Sequence, residues 1–217
     1  MIVHEDENES LDTLINHVLS YLFRKGEYDP LKENSFAPAL CNRIDRNTCG
    51  LVIAAKNAPA LRFMNEVIKE RTVKKKYMCI VHGRMSEKSA TLTAYHKKDS
   101  GENIVRIYKN EISGSKKIIT AYEEIAYKNG LSLLDVDLIT GRTHQIRAHL
   151  AYTGHPLLGD GKYGNIANDK KLGYKHQALC SYYLRFNDDL EGDLSYLSGL
   201  EVSIPKEKIW FVTEFFE

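Results

Sequence analysis

The chain has 217 residues, 43% hydrophobic and 27% charged, with 30 Lys or Arg against 29 Asp or Glu and a formal net charge of +1. A chain of this length buries roughly 70% of its unfolded surface in one core, and the composition excludes a disordered, fibrous or disulfide-framework protein. No run approaches the roughly 18 apolar residues of a membrane span. Glu5, Asp6, Glu7 and Glu9 are acidic where a signal peptide is basic, so the expected location is cytoplasmic, with no membrane partner.

Met1 to His4 is an extended start, and Ser10 is placed to cap a helix with Leu11, Leu14, Ile15, Val18, Leu19 and Leu22 on its core side. Residues 27–39, with Pro30 and Pro38, form a loop. Asn42 to Lys56 then carries Asp45 between Arg43 and Arg46 and runs into a short apolar stretch, 51–55, that predicts a buried strand. Taken alone, an aspartate between two arginines is as well explained by a surface ion pair worth about 0–1 kcal/mol.

Asn57 caps a second helix with Leu61, Met64, Val67 and Ile68 on its apolar side, and Lys69 and Arg71 stand where the helix dipole favours cations. Residues 73–81 predict a strand that opens with Lys74, Lys75 and Lys76, facing solvent or phosphate. Strands follow near 90–96, 103–108, 118–127 and 131–139, with turn chemistry at Asp99-Ser100-Gly101 and Lys128-Asn129-Gly130. Thr143 is placed to cap a third helix that buries Ile146 and Leu150 and stops at Gly154, before Pro156. In it His144 and Arg147, three apart, share a side. Segments 179–186 and 200–204 close the strand pattern. Many antiparallel-looking strands with three helices make the class α+β, in one domain over residues 1–217.

Cys41, Cys49, Cys79 and Cys180 lack Cys-x-x-Cys spacing and are expected as reduced core thiols. His144 and His149 are five apart with no acidic residue between them, so a hydrogen-bonded structural role outweighs a metal site. There is no Gly-x-Gly-x-x-Gly and no Gly-Lys-Ser/Thr loop, so no cofactor is expected. Charge is uneven: residues 61–120 hold fourteen Lys or Arg against six Asp or Glu, and the remainder is net acidic. Such asymmetry suits a local phosphate-binding patch on a near-neutral molecule.

Three motifs in order carry a resemblance. Arg43-Ile44-Asp45-Arg46-Asn47-Thr48-Cys49-Gly50-Leu51 is followed by the Lys76-Tyr77 strand. Then come Thr140-Gly141-Arg142-Thr143-His144-Gln145-Ile146-Arg147-Ala148-His149 and Gly154-His155-Pro156-Leu157-Leu158-Gly159-Asp160. Together they resemble the RluA-type RNA pseudouridine synthases over nearly the whole chain. The resemblance implies a mixed, mostly antiparallel sheet with flanking helices and a central cleft. It implies an isomerase that converts uridine to pseudouridine in structured RNA, with ribosomal RNA as the first candidate, tRNA as the second, and a monomeric enzyme.

The resemblance assigns the essential carboxylate to Asp45, its cationic partner to Arg147, and the tyrosine that meets the target base to Tyr77. Arg43, Arg46 and Lys76 become candidate RNA contacts, Ile146 packs under the base, and Arg142 and His144 organise the loop before the helix. Asn42 and Cys49 stand where the family commonly has His and Ser. The family's Lys-Pro-x-Gly strand, and the small RNA-binding module that often precedes it, do not occur here, so an amino-terminal part is expected to be missing and RNA affinity to be reduced. A catalytically weak RNA-binding fragment and a carboxylate-based nucleoside hydrolase are the alternative classes.

Overall fold

The computed structural model describes residues 12–33, 35–99 and 101–216. The expected Ser10 cap and the extended start lie outside these residues, as does Ser100 of the Asp99–Gly101 turn. In chain order the elements are α1 (Leu14–Arg24), β1 (Ala39–Leu40), β2 (Cys49–Gly50), β3 (Ala54–Ala55), α2 (Ala58–Glu70), β4 (Val73–His82), β5 (Ser89–Asp99), β6 (Ile104–Tyr108), β7 (Lys116–Lys128) and β8 (Leu131–Asp137). They continue with α3 (Gln145–Tyr152), α4 (Ile166–Lys171), β9 (Leu179–Phe186), β10 (Glu201–Ser203) and α5 (Trp210–Phe216), plus two single 3₁₀ turns.

The chain divides into two compact units. The first comprises Met1–Asn47, Leu51–Val73 and Phe186–Leu200. Its α1 is capped by Thr13, whose hydroxyl accepts from Asn16 N at 3.2 Å and satisfies one of the helix's orphan donors. Asn57 caps α2 as expected, accepting from Ala60 N at 2.9 Å, and Met64 and Val67 are buried. Arg71 ends that helix in the left-handed region at φ 63°. β1 and β3 pair antiparallel, Ala39 with Ala55 and Leu40 with Ala54.

The second unit comprises Thr48–Gly50, Lys74–Arg185 and Glu201–Glu217, and is built on one sheet in the order β10-β9-β4-β8-β7-β5-β6. Every neighbouring pair whose register is described is antiparallel except β2, which runs parallel to β9. The hairpin between β7 and β8 turns through Asn129 at φ 53° and Gly130 at φ 79°, the positive values a tight primed turn requires. Side chains alternate across β4. Tyr77, Cys79 and Val81 join Tyr122, Leu134, Val136, Ile146 and Leu150 in one buried cluster. Met78 and Ile80 join Leu133, Cys180, Phe211, Val212 and Phe215 in a second, on the other side. α3 therefore covers the Tyr77 face and α5 the opposite face.

Three expectations need correction. The expected strand over 51–55 is present only at Ala54–Ala55, which pairs with β1, while Leu51 to Ile53 belong to no strand. The pairing with β9 falls just before the apolar run, at Cys49–Gly50, so the chain leaves one sheet before it enters the other. Two helices, α4 and α5, were not anticipated; α5 is a seven-residue aromatic run that periodicity cannot distinguish from a strand. Cys79 and Cys180 are buried thiols, Cys41 is half-buried, but Cys49 is exposed.

Candidate active site

The Asp45 segment is a turn held at its base. Cys41 N donates to Ile53 O at 2.8 Å, and the Asn42 side chain accepts from Ile53 N at 2.7 Å. These two bonds close the loop that runs from Asn42 to Ile53. Asn47 takes φ 67°, so the backbone reverses just after Asp45 and Arg46. Asp45 is half-buried, while Arg43 and Arg46 are exposed.

Immediately downstream, Thr48 to Gly50 is fastened to β9 in the second unit. Thr48 Oγ1 accepts from Gln177 Nε2 at 3.2 Å, and Cys49 and Gly50 pair with Cys180 and Ser181. Gly50 has φ 125°, and a Cβ there would stand 2.2 Å from Ser181 O. Only glycine permits this approach.

Within the second unit, Tyr77 on β4 and Ile146 on α3 pack in one cluster, 8% and 4% exposed. α3 is positioned by Gln145, not by the expected Thr143 cap. His144 occupies the cap position at φ 52° and makes no side-chain cap bond. Gln145 is buried: its Oε1 accepts from Thr140 Oγ1 at 2.9 Å and Arg142 N at 3.1 Å, and its Nε2 donates to Ile119 O and Thr120 Oγ1, both at 3.0 Å. A glutamine that fills both ends of its amide in this way fixes helix, loop and sheet together. Arg142 itself points outward as an exposed side chain whose backbone N is held by Gln145.

Arg147 is 7% exposed and grips Asp160, fully buried, through Nε to Oδ2 at 2.7 Å and Nη2 to Oδ1 at 2.9 Å. Asp160 Oδ1 also accepts from Lys162 N at 2.8 Å and Tyr163 N at 3.2 Å. Burial alone would raise the Asp160 carboxyl, but the Arg147 guanidinium and the two amides hold it below its ordinary value. Its loop is set by Asp169, which accepts from Gly159 N at 2.7 Å, and by Gly159, where a Cβ would meet His176 O at 2.2 Å.

Tyr163 ties the remaining pieces. Its hydroxyl lies 2.9 Å from His144 Nδ1 and accepts from Val105 N at 3.0 Å, and its ring lies 5.4 Å from the Arg147 guanidinium carbon. His144 and Arg147 thus do share a side, as their spacing implied, and Tyr163 is what they share. Neither Asp160 nor Tyr163 was assigned a role from sequence. The signal for Asp160 was present, because it ends the Gly154-to-Asp160 motif.

Lys76 stands apart from the other candidates. It lies on the face of β4 opposite Tyr77, with Nζ 2.9 Å from Asp135 Oδ2, and Lys74 likewise meets Asp137 at 3.1 Å. One residue of strand register separates it from the Tyr77 face. Among the described residues no group of three or more His, Cys, Asp or Glu side chains is arranged to hold a metal, and no helix is long and apolar enough to cross a membrane.

Comparison with known proteins agrees with the motifs. The RNA pseudouridylate synthase family profile matches residues 1–152. The chain is 36% identical over 216 residues to an uncharacterized RNA pseudouridine synthase of Mycoplasma genitalium, covering 97% of this chain and 66% of the relative. It is 36% identical over 166 residues to the ribosomal large subunit pseudouridine synthase C of Haemophilus ducreyi, covering 74% and 51% respectively. It spans about half to two thirds of the length of the curated relatives it matches. The fold matches that of human RNA pseudouridylate synthase domain containing 1 with TM-score 0.71 at 23% identity, over 95% of this chain and 83% of that one. Profile, relatives and fold agree with the order of the motifs: the chain belongs to the RNA pseudouridylate synthase family, in its RluA-type branch.

Proposed function

We propose that the protein isomerises uridine to pseudouridine in structured RNA, with large-subunit ribosomal RNA as the substrate. The reaction breaks the bond between N1 and the sugar C1′, turns the base, forms a bond from C5 to C1′, and releases the C5 proton while N1 gains one. It needs an ionised carboxylate, a grip on the extruded base, and a pocket with little water. In this reading Asp45 is the carboxylate, Tyr77 and Ile146 contact the base, Arg147 positions and neutralises charge, and Arg43, Arg46 and Arg142 meet the RNA backbone. His144 orders the start of α3.

The observation that carries the reading is the buried assembly on one face of the second unit. Tyr77 and Ile146 pack together there, and the next helical residue, Arg147, is locked into a two-point ion pair. Fixing an arginine at this entropic cost suits a site that must stay in one geometry during catalysis. Ribosomal RNA is the favoured substrate because relatives carry the names ribosomal large subunit pseudouridine synthase C and D.

The test is tritium release from unmodified transcripts labelled at uridine C5, one arm with large-subunit ribosomal RNA and one with tRNA. Release to solvent without free uracil is the expected result in the ribosomal arm. Release only from tRNA moves the substrate class, and free uracil replaces the synthase with a hydrolase.

A further inference from the structure

Of the three consecutive lysines that open β4, two have carboxylates on the sheet face they share. Lys74 meets Asp137 at 3.1 Å and Lys76 meets Asp135 at 2.9 Å. Lys75 points to the other face, the one that carries Tyr77, and is half-buried there. Among the described residues its ammonium has neither a hydrogen bond nor an ion pair. Its Nζ reaches the loop before α3, 3.8 Å from where a Cβ on Gly141 would stand.

A partly buried cation without a counter-charge is costly, since desolvation disfavours its charged form. The effect is visible here, where burial pulls Lys75 below the ordinary lysine value. Exchange of Lys75 for a neutral residue should therefore relieve the fold. A side chain that is unfavourable to the apoprotein, two residues along the strand from Tyr77, implies a bound anion that compensates it.

We propose that Lys75 forms a phosphodiester subsite beside Tyr77, holding a backbone phosphate of the RNA at or next to the target nucleotide. This rests on the functional reading above and adds a contact that Lys76 cannot make from the opposite face. Lys75 and Tyr77 project from one strand about 7 Å apart, near the spacing of neighbouring nucleotides, so base and phosphate are gripped from one rigid element.

The test combines three measurements on the whole chain and on Lys75→Gln and Lys75→Arg: binding of unmodified large-subunit ribosomal transcript across a salt series, tritium release, and thermal melting. Loss of one phosphate contact should lower the salt slope by about 0.7–0.9. Lys75→Gln is expected to show that drop, with KM for RNA raised about tenfold, and a melting temperature equal to or above the parent. Lys75→Arg should keep the slope. An unchanged slope and KM in Lys75→Gln overturns the subsite, and so does a lower melting temperature with no loss of slope, which would make Lys75 a structural residue. A parent that converts uridine while Lys75→Gln behaves identically sinks the subsite alone; a parent that binds no RNA sinks both it and the functional reading.

Discussion

Arg147 and Asp160, thirteen residues apart, meet as two parallel hydrogen bonds of 2.7 and 2.9 Å between a guanidinium edge and a carboxylate, both buried. The contact joins α3 to the loop after Pro156 and fixes the guanidinium plane in one orientation. A lysine supplies the charge but not the fork. Arg147→Ala should therefore cost about 3–5 kcal/mol of stability, because it leaves a buried carboxylate without its cation, and should abolish turnover. Arg147→Lys should recover part of the stability and little of the activity. Urea unfolding run alongside tritium release checks both; a fully active, equally stable alanine variant refutes the role.

Asp45→Asn should leave the fold intact and remove pseudouridine formation. The side chain is half-buried and the exchange keeps its volume, so urea unfolding should shift little. Loss of an essential carboxylate is expected to lower the rate by about 10³-fold or more. Turnover within tenfold of the parent would remove Asp45 from the chemistry.

Acid should weaken the second unit in two stages. His149 is 1% exposed, its Nδ1 lies 3.0 Å from Thr120 Oγ1, and burial lowers its pKa from 6.5 to about 4. The folded state thus keeps it neutral while the unfolded chain takes up a proton near 6.5. Its contribution is complete above that pH and is lost as pH falls from about 6.5 to about 4, amounting to at most about 3 kcal/mol. Asp160, with its pKa held below 3.8, adds stability that is present above that value and lost at lower pH. Melting temperature followed from pH 8 to 3 should show the first decline vanish in His149→Gln while the second remains.

Gly50→Ala should disturb the β2–β9 pairing next to Asp45 without removing any polar side chain. The Cβ would lie 2.2 Å from Ser181 O, at a φ of 125°. Strain of this kind costs on the order of 1–3 kcal/mol at a single residue. The expected result is a lower melting temperature with disproportionate loss of turnover; an alanine variant as active as the parent would show that β2 can detach from β9 without consequence.

Much of the second unit was legible because strands with clear turns leave a local signature. The segment near 131–139, the strand 179–186 and the turn at Asn129-Gly130 are found as expected. The site was legible only as motifs. Alternation alone puts Lys75 on the Tyr77 side of the strand, but that α3 covers this side is a long-range fact. The Arg147–Asp160 pair joins two motifs by a contact thirteen residues long, with no periodicity to announce it. Thr143 has the chemistry of a cap, yet the Gln145 amide takes over the turn because Thr140, Thr120 and Ile119 stand ready to receive it. Such a network is a property of the assembled sheet.

The parallel pairing of Cys49 and Gly50 with Cys180 and Ser181 also sets an order in time. The two segments are about 130 residues apart, so at roughly 5–20 residues per second a ribosome adds the second strand some 6 to 26 s after the first. By the end of that interval a nascent chain holds every motif but still has nothing on which to seat Thr48 to Gly50. A product truncated before residue 179 would therefore carry all the signature residues and still lack the strand that anchors the segment next to Asp45. Seating of the segment next to Asp45 therefore waits on a strand made about 130 residues later, and cannot precede the synthesis of β9.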